Sequence, residues 1–125
     1  MARVLLVDEN ATVLLSNAML LKGDGHHVIE AESELEALEL FLAGKPDIVV
    51  TALNMPEREG MSLIDEIRKT DGRTPIVLMG GLGNSCKQFS LATTKGVNVC
   101  LSAPFIPSRL VGAVNGLLHM KVSKR

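Results

Sequence analysis

The chain has 125 residues, 46% of them apolar, and a formal net charge of −1, which suits one ordinary hydrophobic core but not two. Thirteen basic residues against fourteen acidic ones predict no strong field for nucleic acid or an anionic membrane. No apolar run is long enough for a membrane span and no signal peptide is evident, so we expect a cytoplasmic protein. Residues 1–120 are predicted to form one domain, with 121–125 as a basic, solvated tail.

The first quarter of the sequence predicts a strand, a helix and a second strand. Residues 3–7, "RVLLV", are typical of a buried strand. A helix follows and is expected to end at Gly23 and Gly25. The side chains predicted to face the core from this helix are Ala11, Leu14, Leu15, Ala18 and Leu21. Residues 27–30 form the predicted second strand.

The second helix has the clearest signals in the chain. Ser33 with Glu36 three positions later is typical of a capping box at a helix start. Gly44 followed by Pro46 predicts its end. The side chains assigned to its buried face are Leu35, Leu38, Phe41 and Leu42.

The remaining elements continue the alternation. Residues 47–52 are continuously apolar apart from Asp47 and Thr51, as expected for a strand covered on both faces. The later predicted elements are a helix over 62–69, a strand over 75–79, a helix over about 85–94, a strand over 97–101 and a helix over 107–119. Cys86 and Cys100 lack metal or CxxC spacing, so we expect reduced cysteines with structural roles.

Five strand–helix repeats with short connections predict a doubly wound, five-stranded parallel sheet in the order 2-1-3-4-5, a flavodoxin-like (βα)5 fold. In such folds the working crevice lies beyond the carboxyl ends of the first and third strands. Asp8, Glu9 and Ala52 end or follow those strands and are predicted to face one another.

Four segments in this order and spacing resemble one known family. They are "VLLVDEN", "PDIVVTALNMPEREGM", "TPIVLMG" and "APF", and they resemble the receiver domain of two-component response regulators. The resemblance implies that an acidic pair and an aspartate ending the third strand hold Mg²⁺. It further implies that this aspartate accepts phosphate from a histidine kinase, aided by a Ser or Thr after strand four and a Lys before the late proline.

The resemblance assigns a partial metal site. Asp8 and Glu9 match the acidic pair, and Asn54 matches the residue whose backbone carbonyl completes the metal shell. Two carboxylates and a carbonyl would bind Mg²⁺ more weakly than three acidic groups. The alternative is that Asp8 and Glu9 are ordinary acidic residues at a helix entrance.

Four other positions depart from the family pattern. Ala52 stands at the phosphoacceptor position and Gly80 at the position of the switch hydroxyl. Ala103 replaces the lysine, and Cys100 replaces the aromatic switch residue of strand five. Because alanine offers no nucleophile, the sequence predicts an atypical, stand-alone pseudo-receiver that binds proteins independently of phosphorylation.

Three other interpretations remain open. An engineered variant of a conventional receiver would explain Ala52 and Ala103 but not Gly80 or Cys100. A flavodoxin-like small-molecule binder would use the glycine-rich loop at 80–84, which lacks a phosphate-binding spacing. A hydrolase on the acidic pair lacks a nucleophile and a base, so we predict no enzymatic activity.

The predicted partner is a protein, either a histidine kinase or a downstream signalling protein, and a homodimer is compatible with the sequence. Residues 84–96 carry Lys87 and Lys95 without an acidic residue, so these lysines are the predicted contacts. His26 and His27 are expected to be a solvated pair, and His119 suggests no function.

Overall fold

The computed structural model describes residues 2–52, 57–80, 95–102 and 105–123. Its strands are β1 (Arg3–Val7), β2 (His27–Ala31), β3 (Ile48–Ala52), β4 (Ile76–Gly80) and β5 (Val99–Ser102). They form one sheet in the order β2-β1-β3-β4-β5, with every pair parallel. The predicted doubly wound fold is therefore confirmed.

The described helices are α1 (Ala11–Gly23), α2 (Glu34–Gly44), α3 (Glu57–Thr70) and α4 (Pro107–Ser123). The helix predicted over 85–94 lies outside the described residues. The predicted start of α3 at residue 62 was wrong, because one internal glycine costs a helix only about 1 kcal/mol. The predicted end of α4 at 119 was also wrong, because no Gly or Pro follows Gly116 to stop the helix. The helix continues to Ser123, so it includes the first three residues of the segment that the sequence assigned to a tail, 121–125.

Alternate residues of each strand enter two separate apolar clusters, one on each face of the sheet. The cluster that includes residues of α2 and α3 contains the strand residues Leu5, Val7, Val49, Ile76 and Leu78. The cluster that includes residues of α1 and α4 contains the strand residues Val4, Leu6, Ile48, Val50 and Val77. Burial on both faces explains why the central strands are apolar without interruption.

Three leucines that the sequence assigned to the core are exposed instead. Leu15 of α1 is 55% exposed, and Leu35 and Leu42 of α2 are 70% and 52% exposed. Each of these helices carries more apolar residues than one face of the sheet can cover. Leu14, Ala18, Leu21 and Phe41 are buried as predicted. Helical spacing therefore identified the helices and the centre of each buried face, but it made that face too wide.

The ends of α2 follow local chemistry. The backbone N–H of Glu36 donates to Oγ of Ser33 at 3.1 Å, which confirms the predicted N-cap. The carboxylate of Glu36 reaches back to the N–H of Glu32 at 2.8 Å, one residue earlier than a standard capping box. At the other end Lys45, with φ of 44°, adopts the left-handed conformation directly after Gly44.

Candidate functional site

The carboxyl ends of β1 and β3 bring two of the predicted site residues together. Val7 lies opposite Thr51 in the β1–β3 pairing. Asp8 follows Val7 and Ala52 follows Thr51, so both residues lie at the same edge of the sheet. Asp8 is 2% exposed and Ala52 is 1% exposed, whereas Glu9 is exposed to solvent. The crevice is thus lined by one buried carboxyl group and one methyl group.

Asp8 is held in place by the backbone on both sides. Its N–H donates to the carbonyl of Ala31 at 3.1 Å, and its Oδ1 accepts the N–H of Asn10 at 2.9 Å. Burial raises the pKa of the Asp8 carboxyl above its usual value, the N–H of Asn10 opposes this, and the nearby charge of Glu9 adds to the rise. A cation beside Asp8 would relieve this electrostatic cost.

Asn10 connects the acidic pair to α1, a role that our interpretation of the sequence missed. Its side chain accepts the N–H of Val13 at 3.1 Å and so caps the helix. The signal was present, since asparagine is among the favoured residues immediately before a helix. The position of Asp8 is therefore coupled to the start of α1 through Asn10.

The end of β3 is apolar on one face. Ala52 lies opposite Met79 of β4 and belongs to the apolar cluster shared with α1 and α4. Met79 is 4% exposed, and its Sδ lies 3.7 Å from Nδ2 of Asn17 on α1. The hydroxyl of the preceding residue, Thr51, is buried and finds no hydrogen-bond partner among the described residues.

The structure describes two of the other predicted site positions, Gly80 and Cys100. Gly80 is buried at the end of β4, opposite Ser102. Cys100 forms no disulfide bond with another described residue, is partly buried and packs against the cluster of α2 and α3. Asn54, Ala103 and Lys87 lie outside the described residues, so the roles given to them stay predictions. Within the described part of the chain, no three His, Cys, Asp or Glu side chains form a group that could hold a metal ion.

Lys95, one of the two predicted partner contacts, lies in a turn shortly before β5. Its Nζ donates to both carboxylate oxygens of Asp65 on α3, at 2.9 and 3.1 Å, and its side chain is 29% exposed. This pairing ties the turn to α3. A contact between Lys95 and a partner would have to share or replace the Asp65 interaction.

His26 is not solvated as the sequence suggested. Its side chain is 8% exposed, and its Nε2 lies 2.8 Å from Oδ1 of Asn115 on α4. Nδ2 of Asn115 in turn donates to Oδ2 of Asp24 at 2.8 Å. The group joins the end of α1 to α4, a contact between residues 89 positions apart in the sequence, whereas His27 is exposed as expected.

The model of the response regulator receiver domain family matches residues 4–115 of the chain. The chain belongs to this family. Its fold and the order of its motifs agree with that membership, and the predicted resemblance is confirmed at this level. Receiver domains act in two-component signalling, where they interact with kinases and effector proteins.

Chemotaxis proteins are among the relatives of this receiver domain. The chemotaxis protein CheY of Thermotoga maritima is 35% identical over 123 residues, 98% of each chain. The transcriptional regulatory protein GlrR of Escherichia coli is 32% identical over 118 residues, which cover 94% of this chain but 26% of GlrR. The chain therefore spans nearly all of one relative and about a quarter of the other.

Solved structures of receiver domains superpose closely on the chain. A response regulator receiver domain protein from Clostridium thermocellum matches with a TM-score of 0.92 at 28% identity, covering 100% of both chains. NtrX from Brucella abortus matches with a TM-score of 0.90 at 27% identity, covering 99% of this chain and 28% of NtrX. Among the described residues, no helix combines the length and the apolar character that crossing a membrane requires.

Proposed function

We propose that this receiver domain is a non-enzymatic protein-binding module of two-component signalling whose binding state does not depend on aspartyl phosphate. The observation that carries the proposal is the methyl group of Ala52, 1% exposed, at the end of β3 beside the buried Asp8. Transfer of phosphate to a receiver needs a carboxylate nucleophile at this edge. A methyl group within an apolar cluster cannot supply one.

Mg²⁺ would be held by Asp8 and Glu9, with the carbonyl of Asn54 as the third ligand that the family resemblance implies. Mg²⁺ keeps several waters and is commonly held by one or two carboxylates. Burial raises the pKa of Asp8, and a bound cation would oppose this by stabilising the ionised carboxylate. We therefore propose weak Mg²⁺ binding that is not coupled to phosphate.

The switch positions support constitutive binding of a histidine kinase or a downstream signalling protein. Gly80 has no hydroxyl group to move towards a phosphate, and Cys100 has no aromatic ring to change position with it. A ligand shifts a conformational equilibrium only when its affinity differs between the two states. Without these groups, Mg²⁺ or a phosphate mimic has little means of favouring one state.

The first test is covalent modification. We expect incubation with acetyl phosphate and Mg²⁺ to leave the intact mass of the protein unchanged. Ala52→Asp should bind Mg²⁺ more tightly than the parent, because it adds a third carboxylate beside Asp8, whereas the neutral control Ala52→Asn should not. A stoichiometric, alkali-labile phosphate adduct on the parent protein would contradict the proposal.

The second test measures coupling once a partner protein has been isolated. Mg²⁺ and beryllofluoride should change the affinity for that partner by less than tenfold, which corresponds to about 1.4 kcal/mol. Lys87→Glu and Lys95→Glu are expected to weaken binding. Because Lys95 is paired with Asp65, Asp65→Asn serves as the control for losing that ion pair. A tenfold response to beryllofluoride would show that a working switch remains.

A further inference from the structure

The near-neutral net charge of the chain conceals an uneven distribution of charge. Between Lys22 and Lys45 the sequence contains six acidic residues and no lysine or arginine. The rest of the chain carries thirteen basic residues against eight acidic ones. Four of the six acidic residues lie on α2 or directly before it, at positions 32, 34, 36 and 39. This helix therefore carries a local negative field that the whole-chain balance does not reveal.

An apolar stripe runs along the same helix. Leu35 is 70% exposed, more than any other large apolar side chain in the described part of the chain, and Leu42 is 52% exposed. The two are separated by two helical turns, about 10 Å, and so lie on one side of α2. Leu38 lies between them and is partly buried against the core. We call Leu35, Leu38 and Leu42 the α2 stripe.

Acidic residues border the α2 stripe. Glu39 is four residues after Leu35 and three before Leu42, positions that are neighbours on a helix surface. It is exposed and takes part in none of the ion pairs between described residues. Glu32, three residues before Leu35, is also exposed. The surface thus combines exposed leucines with the exposed acidic residues Glu32 and Glu39.

We propose that the α2 stripe and its acidic border dock a basic amphipathic helix of another protein. Such a helix would present apolar side chains at positions i, i+3 or i+4 and i+7 to the leucines, flanked by Lys or Arg that pair with the glutamates. The proposal extends the protein-binding role to a specific surface, and it does not depend on the consequence of Ala52 for phosphorylation.

Charge complementarity favours this occupant over two alternatives. The exposed side of α1 carries Leu15 and Met19, 55% and 64% exposed, but no charged residue between Glu9 and Lys22, so nothing there selects a partner. A second copy of this chain would have to present basic residues from outside α2 to this acidic surface. That contact is heterologous and would lead to open-ended assembly unless the rotation closed a ring.

The test uses the full chain and a fluorescein-labelled synthetic peptide of about 18 residues, long enough to form a helix on binding. The peptide has leucines at i, i+3 and i+7 among lysines and alanines. Its control has the same composition with the leucines distributed around the helix. Fluorescence anisotropy is expected to show binding of the first peptide at least tenfold tighter than that of the control.

Substitutions on the protein locate the contact. Leu35→Gln and Leu42→Gln should each weaken binding about tenfold, because each removes an apolar side chain that the partner helix would bury. The matched changes on α1, Leu15→Gln and Met19→Gln, should leave it unchanged. Glu39→Gln should weaken binding and reduce its dependence on salt, whereas Glu66→Gln, which removes an exposed carboxylate of α3 paired with Lys69, should not.

Three results would overturn the proposal. Equal binding of both peptides would mean that only the negative field attracts them. An equal loss of affinity in the α1 and α2 variants would place the contact elsewhere. Sedimentation that shows self-association of the parent chain, abolished by Leu35→Gln, would identify a second copy as the occupant. Circular dichroism of each variant checks that the fold is retained, as expected for exposed positions.

Discussion

Two buried threonines allow a direct test of how polar groups are satisfied in this fold. The side chain of Thr51 is fully buried on β3, between Val7 and Leu78 of the neighbouring strands, and its hydroxyl has no partner among the described residues. A buried hydroxyl without a hydrogen bond costs roughly 1–3 kcal/mol. Thr51→Val keeps the shape of the side chain and removes that cost, so we expect a stabilisation of about 1–2 kcal/mol.

Thr74→Val is the matched control. Thr74 is 4% exposed, and its hydroxyl donates to Oδ2 of Asp71 at 2.6 Å. Losing a hydrogen bond to a charged group should destabilise the protein by about 1.5–3 kcal/mol. The same hydrogen bond is the main reason that the pKa of Asp71 lies below its usual value. The stability that Asp71 contributes is therefore present above its unfolded pKa and is lost as the pH falls through its lower folded pKa. The destabilisation caused by Thr74→Val should accordingly shrink in strong acid.

Urea unfolding followed by circular dichroism at neutral pH provides the measurement, since the chain has no Trp or Tyr for fluorescence. The urea concentration at the unfolding midpoint should rise for Thr51→Val and fall for Thr74→Val, both with unchanged m-values. In a parallel thermal experiment, each kcal/mol should shift the Tm by roughly 4 °C for a domain of this size. A Thr51→Val protein that is no more stable than the parent would show that the hydroxyl is satisfied in solution, and the reasoning would be wrong.

Two further predictions concern charge and glycine. Asp8→Asn should stabilise the metal-free protein near pH 7, because the raised pKa of Asp8 means that its ionised form opposes folding. The cost of the ionised Asp8 in the folded state is relieved as the pH falls from its raised folded pKa towards the unfolded value. Urea titrations in EDTA should therefore show that the stabilisation by Asp8→Asn disappears below about pH 4. Gly112→Ala and Gly116→Ala should each add about 0.5–1 kcal/mol in thermal unfolding, since an added Cβ meets nothing within 4 Å in α4. Gly96→Ala, at φ of 94° and with its Cβ 2.7 Å from Nε of Arg68, should destabilise instead; a stabilised Gly96→Ala would contradict the assigned backbone conformation.

Much of this fold is encoded locally. The strands were recognisable because β-branched and leucine-rich runs alternate with segments of helical period, and the order of the sheet followed from short right-handed connections. The Ser33 cap was also predictable, since its partner lies only three residues away. Asp8 and Ala52 could be placed at one edge of the sheet because parallel strands end at the same edge, whereas the exposure of Glu9 was not predicted.

Contacts between distant segments could not be predicted in this way. His26 became buried through Asn115, 89 residues later, and Lys95 found Asp65, 30 residues earlier. Neither contact has a local sequence pattern, because the two partners meet only when whole helices pack on the sheet. The same holds for the burial of Asp8, whose raised pKa depends on surrounding strands rather than on its neighbour Glu9 alone.

The identity of the groups at the candidate site was a property of the sequence by itself. Ala52 lacks a carboxylate, and Gly80 a hydroxyl, whatever surrounds them, since covalent chemistry does not change on folding. Only the tertiary structure decided which apolar side chains remain in water, such as Leu35 on α2, and whether Thr51 finds a partner. Periodicity reports that a helix has an apolar side, but the arc that becomes buried depends on the area that the sheet and the neighbouring helices can cover.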